Sequence, residues 1–465
     1  MSDQHRLGIA SASRPKHVGP TILPQFSLLS RLLRLACKET KIAITDRPCG
    51  ISATHMQLIS DVLHVRNHLI SKLGPEVREA LVLQEEVYIN LLAPAGYEAG
   101  LVIYTSGTTG PPKAVVIRRS YLNEVPLELE DLYELRKDDC ILHCLPVHHV
   151  TGIGANLLPF LFVGASIEFF GCQRFDAGQV WERWRQGGIT AFSGVPTQFV
   201  RLMQFYDEHI ASLPPIQLAE YVEAVNAIRF MASGSAGLPA VIQTKWTSLR
   251  RGRPILTRYG TTEFGAVFAA TPNDVDLPYG AVGKLVAGVD VKLTGGDEGE
   301  ILVRSHLLLD RNARDADGYF QSGDIGARKG DYYFVLGRAS IDIIKSGGYK
   351  IAAPDIEREM YGLPYVFEAM VVGIDDLEYG QRVAAAVVLQ DQTKTLDIKR
   401  LRDDLRSSLA PYKLPTLLRI VPFLPKTSTG KIAKKVLRDQ MFPPEGHPDV
   451  QVFRKRLTAS AGSRL

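Results

Sequence analysis

The chain has no surplus of one charge. Its 54 basic and 50 acidic residues leave a net charge of +4 over 465 residues. That balance argues against a basic stripe for nucleic acid or an anionic membrane surface. Cysteine is scarce: Cys37, Cys49, Cys140, Cys144 and Cys172 are odd in number and unpatterned, which reads as reduced intracellular thiols rather than a disulfide framework. Cys140, His143 and Cys144, followed by His148 and His149, invite a zinc reading. In a strand, however, Cys140 and Cys144 share one face and His143 points to the other, so a buried strand running into a loop is preferred. Long apolar runs are also missing. The most apolar window, 150–170, is interrupted by Asn156, Pro159, Gly164 and Glu168. It reads as a buried helix and then a strand, not a membrane span. Residues 1–16 are polar and carry no apolar core of a secretory signal. No internal repeat or low-complexity block occurs.

Hydrophobic content of 45% and charged content of 22% suit a globular protein, and the length suits two domains or more. From 100 to 336, strand-like runs at 101–104, 140–145, 166–170, 191–195 and 229–232 alternate with helical patterns such as 177–186 and 196–209. That alternation predicts an α/β architecture with largely parallel sheets. Beyond Gly337 the pattern changes. A short helix at 357–361, strands at 366–374 and 382–389, a helix at 398–409 and a strand at 417–421 predict a small α+β domain. The expected division is a large domain over 1–338, a small domain over 339–445, and a loosely held tail over 446–465, with the boundary near Arg338 to Asp342.

The strongest local signal is Tyr104-Thr105-Ser106-Gly107-Thr108-Thr109-Gly110-Pro111-Pro112-Lys113. Such a loop after a strand can wrap phosphate oxygens with N–H groups and hydroxyls, while the lysine adds charge. It is not the Walker loop, which ends Gly-Lys-Ser/Thr. Four further segments are Arg258-Tyr259-Gly260-Thr261-Thr262-Glu263, Ser322-Gly323-Asp324, Gly337-Arg338 through Ser346-Gly347-Gly348-Tyr349-Lys350, and Pro425-Lys426 through Gly430-Lys431. Tyr259 offers a face for an adenine, and Thr262 a hydroxyl for a phosphate. Glu263 is a hard oxygen ligand for Mg²⁺. Gly234-Ser235-Ala236 is small enough for a base to approach the backbone. Asp324 can accept from ribose hydroxyls, and Arg338 can reach the same region.

Taken together, these segments resemble the acyl-CoA synthetase, or adenylate-forming (AMP-binding), superfamily, over roughly Leu101 to Met441. The resemblance implies a large N-terminal adenylate-forming domain of layered sheets and helices, with a small α+β domain on a hinge. It implies ATP, Mg²⁺ held through Glu263 and Thr108, coenzyme A and a small carboxylic acid. It also implies that Lys431 enters the site when the small domain closes, and that Ser346, Gly347 and Gly348 later line the thiol tunnel. Ser340 falls at the hinge position, where the family usually has Asp or Lys. His149 matches the family histidine beside the acyl group, with a packing histidine as the alternative.

Within the superfamily the chain is most similar to malonyl-CoA synthetases, on Pro146-Val147-His148-His149, Gly194-Val195-Pro196-Thr197, Arg229 through Ala236, and Arg258-Tyr259-Gly260. Thr261 replaces the methionine of the usual Tyr-Gly-Met-Thr-Glu and borders the implied acyl pocket. A second carboxylate on the acid needs an arginine fork, with Arg258 first, Arg229 second and Arg201 third as candidates. Only 105 residues precede Ser106, fewer than the resemblance implies, so much of the first subdomain is expected to be absent. Ser463-Arg464-Leu465 is similar to a peroxisomal address, implying an import receptor as partner. Three readings stay open: a carboxylate–CoA ligase, an adenylation enzyme loading a carrier-protein thiol, and a non-catalytic nucleotide-binding homologue. All five of Lys113, Glu263, Asp324, Arg338 and Lys431 are present, and no carrier domain follows Met441.

Overall fold

The computed structural model describes residues 27–38, 40–47, 50–61, 99–105, 113–118, 120–170, 175–274, 277–305, 315–426, 432 and 434–453. The expected phosphate loop from Ser106 to Gly110, Lys431, residues 62–98 of the stretch between Thr54 and Leu101 expected to be shortened, and the terminal Ser463-Arg464-Leu465 lie outside the described residues.

A nine-stranded sheet organises the large domain. Its middle is six parallel strands in the order Leu256–Thr261, Phe230–Ser233, Ala191–Gly194, Cys140–His143, Ser166–Phe169 and Ile42–Asp46. Antiparallel strands close its two edges: Gly265–Ala269 and Lys284–Leu285 at one, Ile51–Thr54 at the other. The expected strands are all found within a residue or two, and the window 150–170 is a π-helical turn at Thr151–Leu157, a helix at Leu158–Val163 and the strand Ser166–Phe169. Among the described residues no helix is long and apolar enough to cross a membrane.

The strands read as short apolar runs because helices cover the sheet on both faces. On one face, Asp176 caps the helix Ala177–Arg185 by accepting from the Gln179 N–H at 2.9 Å. The helix then buries Trp181 and Trp184 against Phe192, Phe199 and Trp246. Each such ring removes on the order of 200 Å² from water, about 5 kcal/mol before conformational entropy is subtracted. Cys140 and Cys144 pack at the edge of this aromatic layer. On the other face lies the helix Tyr121–Tyr133, burying Tyr121, Val125, Leu129 and Tyr133 at helical spacing. A separate hairpin pairs Ala99–Thr105 with Lys113–Arg118, placing Thr105 opposite Lys113.

A four-stranded antiparallel meander follows, Val289–Leu293, Glu298–Ser305, Phe320–Lys329 and Tyr332–Arg338. It ends at Arg338, and a six-stranded sheet begins with Ile343–Ser346, so the expected boundary coincides with a change of sheet. Two helices of the small domain differ from expectation. The first starts earlier, at Ala353–Met360, because Pro354 suits a first helical turn. The second stops at Leu405 rather than Leu409, ahead of Ser407-Ser408 and Pro411.

The expected loose tail requires a correction. Val450–Val452 pairs antiparallel with Leu417–Ile420, so the small domain extends to at least Phe453. The Gln451 carboxamide oxygen accepts from the Ile398 N–H at 2.8 Å, and the Phe453 carbonyl accepts from Arg382 at 3.3 Å. Three residues are too short to show strand alternation, so tertiary pairing alone reveals this strand.

Candidate active site

Ligand sites in parallel α/β sheets form beyond the C-terminal ends of the strands. A cavity of about 80 Å³ lies there in this chain. One wall is the inner face of the helix Tyr121–Tyr133, another is Val150, Thr151, Gly154 and Ala155, and the third is Ser235 with Arg258, Tyr259, Gly260 and Thr261. The small residues are needed. A Cβ on Gly154 would overlap the Tyr121 hydroxyl, and one on Gly234 would sit 3.2 Å from Arg258 Cγ and Nε. Ser235 holds a left-handed backbone with φ of 72°, which a non-glycine residue adopts at a cost.

Five residues named from the sequence thus converge on one cavity: Ser235, Arg258, Tyr259, Gly260 and Thr261. Gly234 and Ala236 flank Ser235 without lining it. Arg258 is half-buried, and among the described residues no carboxylate lies within ion-pair distance of it. Its charge acts on Tyr121, Glu128 and Tyr133. Glu128 was not named from the sequence. Burial, reinforced by Glu124, pushes its carboxyl up to about 7, and Arg258 opposes the shift.

Beside the cavity is the polar group named for the nucleotide. The Tyr259 hydroxyl donates to Asp324 Oδ2 at 2.8 Å, and Arg338 Nε lies 3.2 Å from Asp324 Oδ1. Burial, together with the Asp324 charge, raises the Tyr259 phenol, so it remains a donor. One face of the Tyr259 ring stacks on Phe268 at a centroid distance of 5.6 Å. Thr262 and Glu263 follow on the turn, where the Glu263 N–H donates to Thr261 Oγ1 at 3.2 Å. Lys113 begins the strand Lys113–Arg118.

The structure separates other candidates from this cavity. Arg229 is corrected from a substrate fork to a structural residue. It precedes its strand, at the opposite edge of the sheet, and its Nη2 pairs with Asp139 Oδ2 at 2.6 Å while Nη1 donates to the Tyr133 carbonyl at 2.9 Å. His149 is half-buried, with its Nδ1 accepting from the Thr151 N–H at 3.3 Å; it does not line the cavity, although Val150 and Thr151 do. His143 is buried and bonds the Gly152 carbonyl at 3.1 Å, and burial lowers its pKa. Ser346, Gly347 and Gly348 form the turn of a small-domain hairpin, with φ of 54° and 84° at the glycines, and do not line the cavity.

The sequence reasoning missed the helix wall, including Tyr121, Val125, Glu128 and Leu129. Helical spacing was the available signal, because it puts Glu128 beside Val125 and Leu129 on the inward face.

A model described as AMP-binding enzyme matches residues 38–310, and one described as AMP-binding enzyme C-terminal domain matches 355–431. This chain belongs to the AMP-binding enzyme family. Its relatives include a mitochondrial malonate–CoA ligase of Bos taurus, 34% identical over 438 residues, covering 85% of this chain and 73% of the relative. A malonate–CoA ligase of Arabidopsis thaliana is 34% identical, covering 74% of this chain and 61% of the relative. Against several such relatives the chain spans less than two thirds of their length. The ATP-bound MatB of Rhodopseudomonas palustris shares the fold, with a TM-score of 0.72, 23% identity, and coverage of 88% of this chain and 98% of that one.

Proposed function

We propose that this member of the AMP-binding enzyme family is an ATP-dependent carboxylate–CoA ligase for a short acid such as malonate. The observation that carries the reading is the placement of Arg258 in a small cavity directly beside Tyr259, Asp324 and Arg338. At about 10–15 Å³ per water-sized group, the cavity holds roughly five to eight such groups. That suits a compact acid. Relatives named as malonate–CoA ligases support the same substrate class.

In this reading a carboxylate oxygen of the acid attacks the α-phosphorus of ATP, giving acyl-AMP and pyrophosphate. The sulfur of coenzyme A then attacks the acyl carbon and AMP leaves. No enzyme nucleophile is required, so the protein supplies position and charge. Arg258 orients the acid, and the Tyr259 hydroxyl holds Asp324 for the ribose. Mg²⁺ bound with ATP needs only one or two protein carboxylates, since phosphates and waters complete its shell. Glu263, next to Thr262 on the turn, would hold the ion, with Thr108 as the second residue that the family resemblance implies. Among the described residues no cluster of three ligating side chains offers a dedicated metal cage. The ion would supply positive charge to the phosphate oxygens.

Acid-dependent pyrophosphate release, measured over a panel of acids with and without coenzyme A, tests the reading. Release only with a holo carrier protein would replace coenzyme A by a carrier thiol, and no release with any acid would leave a nucleotide-binding homologue. We also propose Ser463-Arg464-Leu465 as a peroxisomal address. An N-terminal fluorescent fusion should enter peroxisomes, and should stay diffuse without those three residues. A diffuse intact fusion rejects the address.

A further inference from the structure

On the cavity wall formed by the helix Tyr121–Tyr133, the carboxyl of Glu128 stands among Tyr121, Val125 and Leu129. Arg258, on the strand Leu256–Thr261, lines the same cavity. A carboxyl on an otherwise apolar wall is costly unless something answers its charge. Arg258 answers it only from a distance, because the two are not in ion-pair contact. A cation and an acid that share a small cavity without pairing leave room for a third group between them.

We propose that Glu128 is a specificity-determining residue of this cavity, discriminating acids that carry a distal carboxylate from those that do not. This rests on the reading above that the cavity receives the acid. Protonated, Glu128 donates a hydrogen bond to that distal carboxylate while Arg258 supplies the charge. Ionised, Glu128 cancels the Arg258 charge and repels the same carboxylate. A monocarboxylic acid presents a methyl group there and is much less sensitive to the change.

The electrostatic setting makes the switch accessible near neutrality. Burial pushes the Glu128 carboxyl up to about 7, with Glu124 one turn back on its own helix adding to the shift and Arg258 on the facing strand opposing it. The other titratable groups on the cavity walls are the Tyr121 and Tyr259 phenols, both raised by burial and neutral throughout. The wall formed by Val150, Thr151, Gly154 and Ala155 brings no charge. For such a group the protonated fraction falls roughly twentyfold between about pH 6.5 and 8.5.

The experiment measures kcat/KM for malonate and for propionate on the full chain across that pH range and takes their ratio. The ratio removes pH effects common to both acids, which stay ionised throughout. In the wild type it should fall about tenfold or more as pH rises. Glu128→Gln should flatten the profile and keep the ratio high at pH 8.5. A flat wild-type profile, or the same slope in Glu128→Gln, overturns the assignment. Thermal stabilisation by malonate, read over the same pH range without turnover, separates this from the ligase reading. Wild-type stabilisation that weakens with pH, combined with no pyrophosphate release from any acid, rejects the ligase and supports the Glu128 assignment. Stabilisation that is flat with pH rejects the assignment whatever the activity.

Discussion

Two arginines, Arg229 just before one strand and Arg258 within its neighbour in the same sheet, have opposite surroundings. Arg229 precedes the strand Phe230–Ser233 and is locked to buried Asp139, whose other bonds come from the Thr190 hydroxyl and the Arg136 N–H. Arg258 lies within Leu256–Thr261, faces a cavity, and is in no ion pair among the described residues. The N-terminal edge of the parallel strands satisfies its charges internally. The C-terminal edge leaves a cation and a carboxyl facing space. A buried charge that already has its counter-charge is structure, whereas one held at a cavity without a counter-charge is available to a ligand.

The comparison can be broken by exchanging the two phenotypes. Arg229→Met should cost about 3–5 kcal/mol of stability by stranding Asp139, and should leave the ratio of malonate to propionate use unchanged. Denaturant unfolding and the substrate ratio check it; a changed ratio at wild-type stability would return Arg229 to the substrate. The pH dependence has a definite sign. Burial pushes the Asp139 carboxyl up, but hydrogen bonds from Arg229 and Thr190 outweigh it and hold the carboxyl below its usual range. A lowered folded-state pKa stabilises above the unfolded value of about 4, and that stability is lost as pH falls through the folded value. Arg229→Met should reduce this acid-sensitive part of the stability.

Arg258→Met should do the converse, costing malonate about 2–5 kcal/mol in kcat/KM while propionate changes little and unfolding is almost unaffected. Equal loss for every acid would reassign Arg258 to a general structural role. A third substitution asks whether the C-terminal edge needs the small domain. Lys431 is in the segment 427–431, whose flanks are anchored: Lys426 pairs with Glu368, and Lys434 pairs with Asp342 at 2.6 Å and Glu357 at 2.8 Å. Asp342 also accepts from the Arg338 N–H at 3.0 Å, linking this anchor to the domain boundary. Lys431→Ala should slow acyl-adenylate formation by about 10²- to 10³-fold and nearly spare thioester formation from supplied acyl-AMP. Equal loss in both half-reactions would falsify a role confined to adenylation.

Much of this was legible in the residues. Alternation of short apolar runs with helical periods places the parallel strands, and the pattern changes after Gly337, close to where one sheet ends and the next begins. Arg258, Tyr259, Gly260 and Thr261 could be named together because they are contiguous in one strand. Val450–Val452 could not, because a three-residue edge strand is specified by its partner. Arg229 was misread because it adjoins the small-residue segment leading to Ser235, yet a strand separates the two and carries them to opposite edges of the sheet.

The sequence by itself determined the family and put candidates on offer: a loop suited to phosphate, a strand suited to a nucleotide, and arginines able to meet a second carboxylate. Local spacing and residue type suffice for those, since each is contained within a few consecutive positions. Only the tertiary structure decided which arginine is spent on Asp139 and which is left facing a cavity, and that Glu128 lines the same cavity as the latter. Those facts depend on folding that brings together segments some 90 to 130 residues apart, pairing Asp139 with Arg229 and setting Glu128 and Arg258 on one cavity. The electrostatic energy of a charge is set by what folding brings beside it, and no stretch of neighbouring residues contains that information.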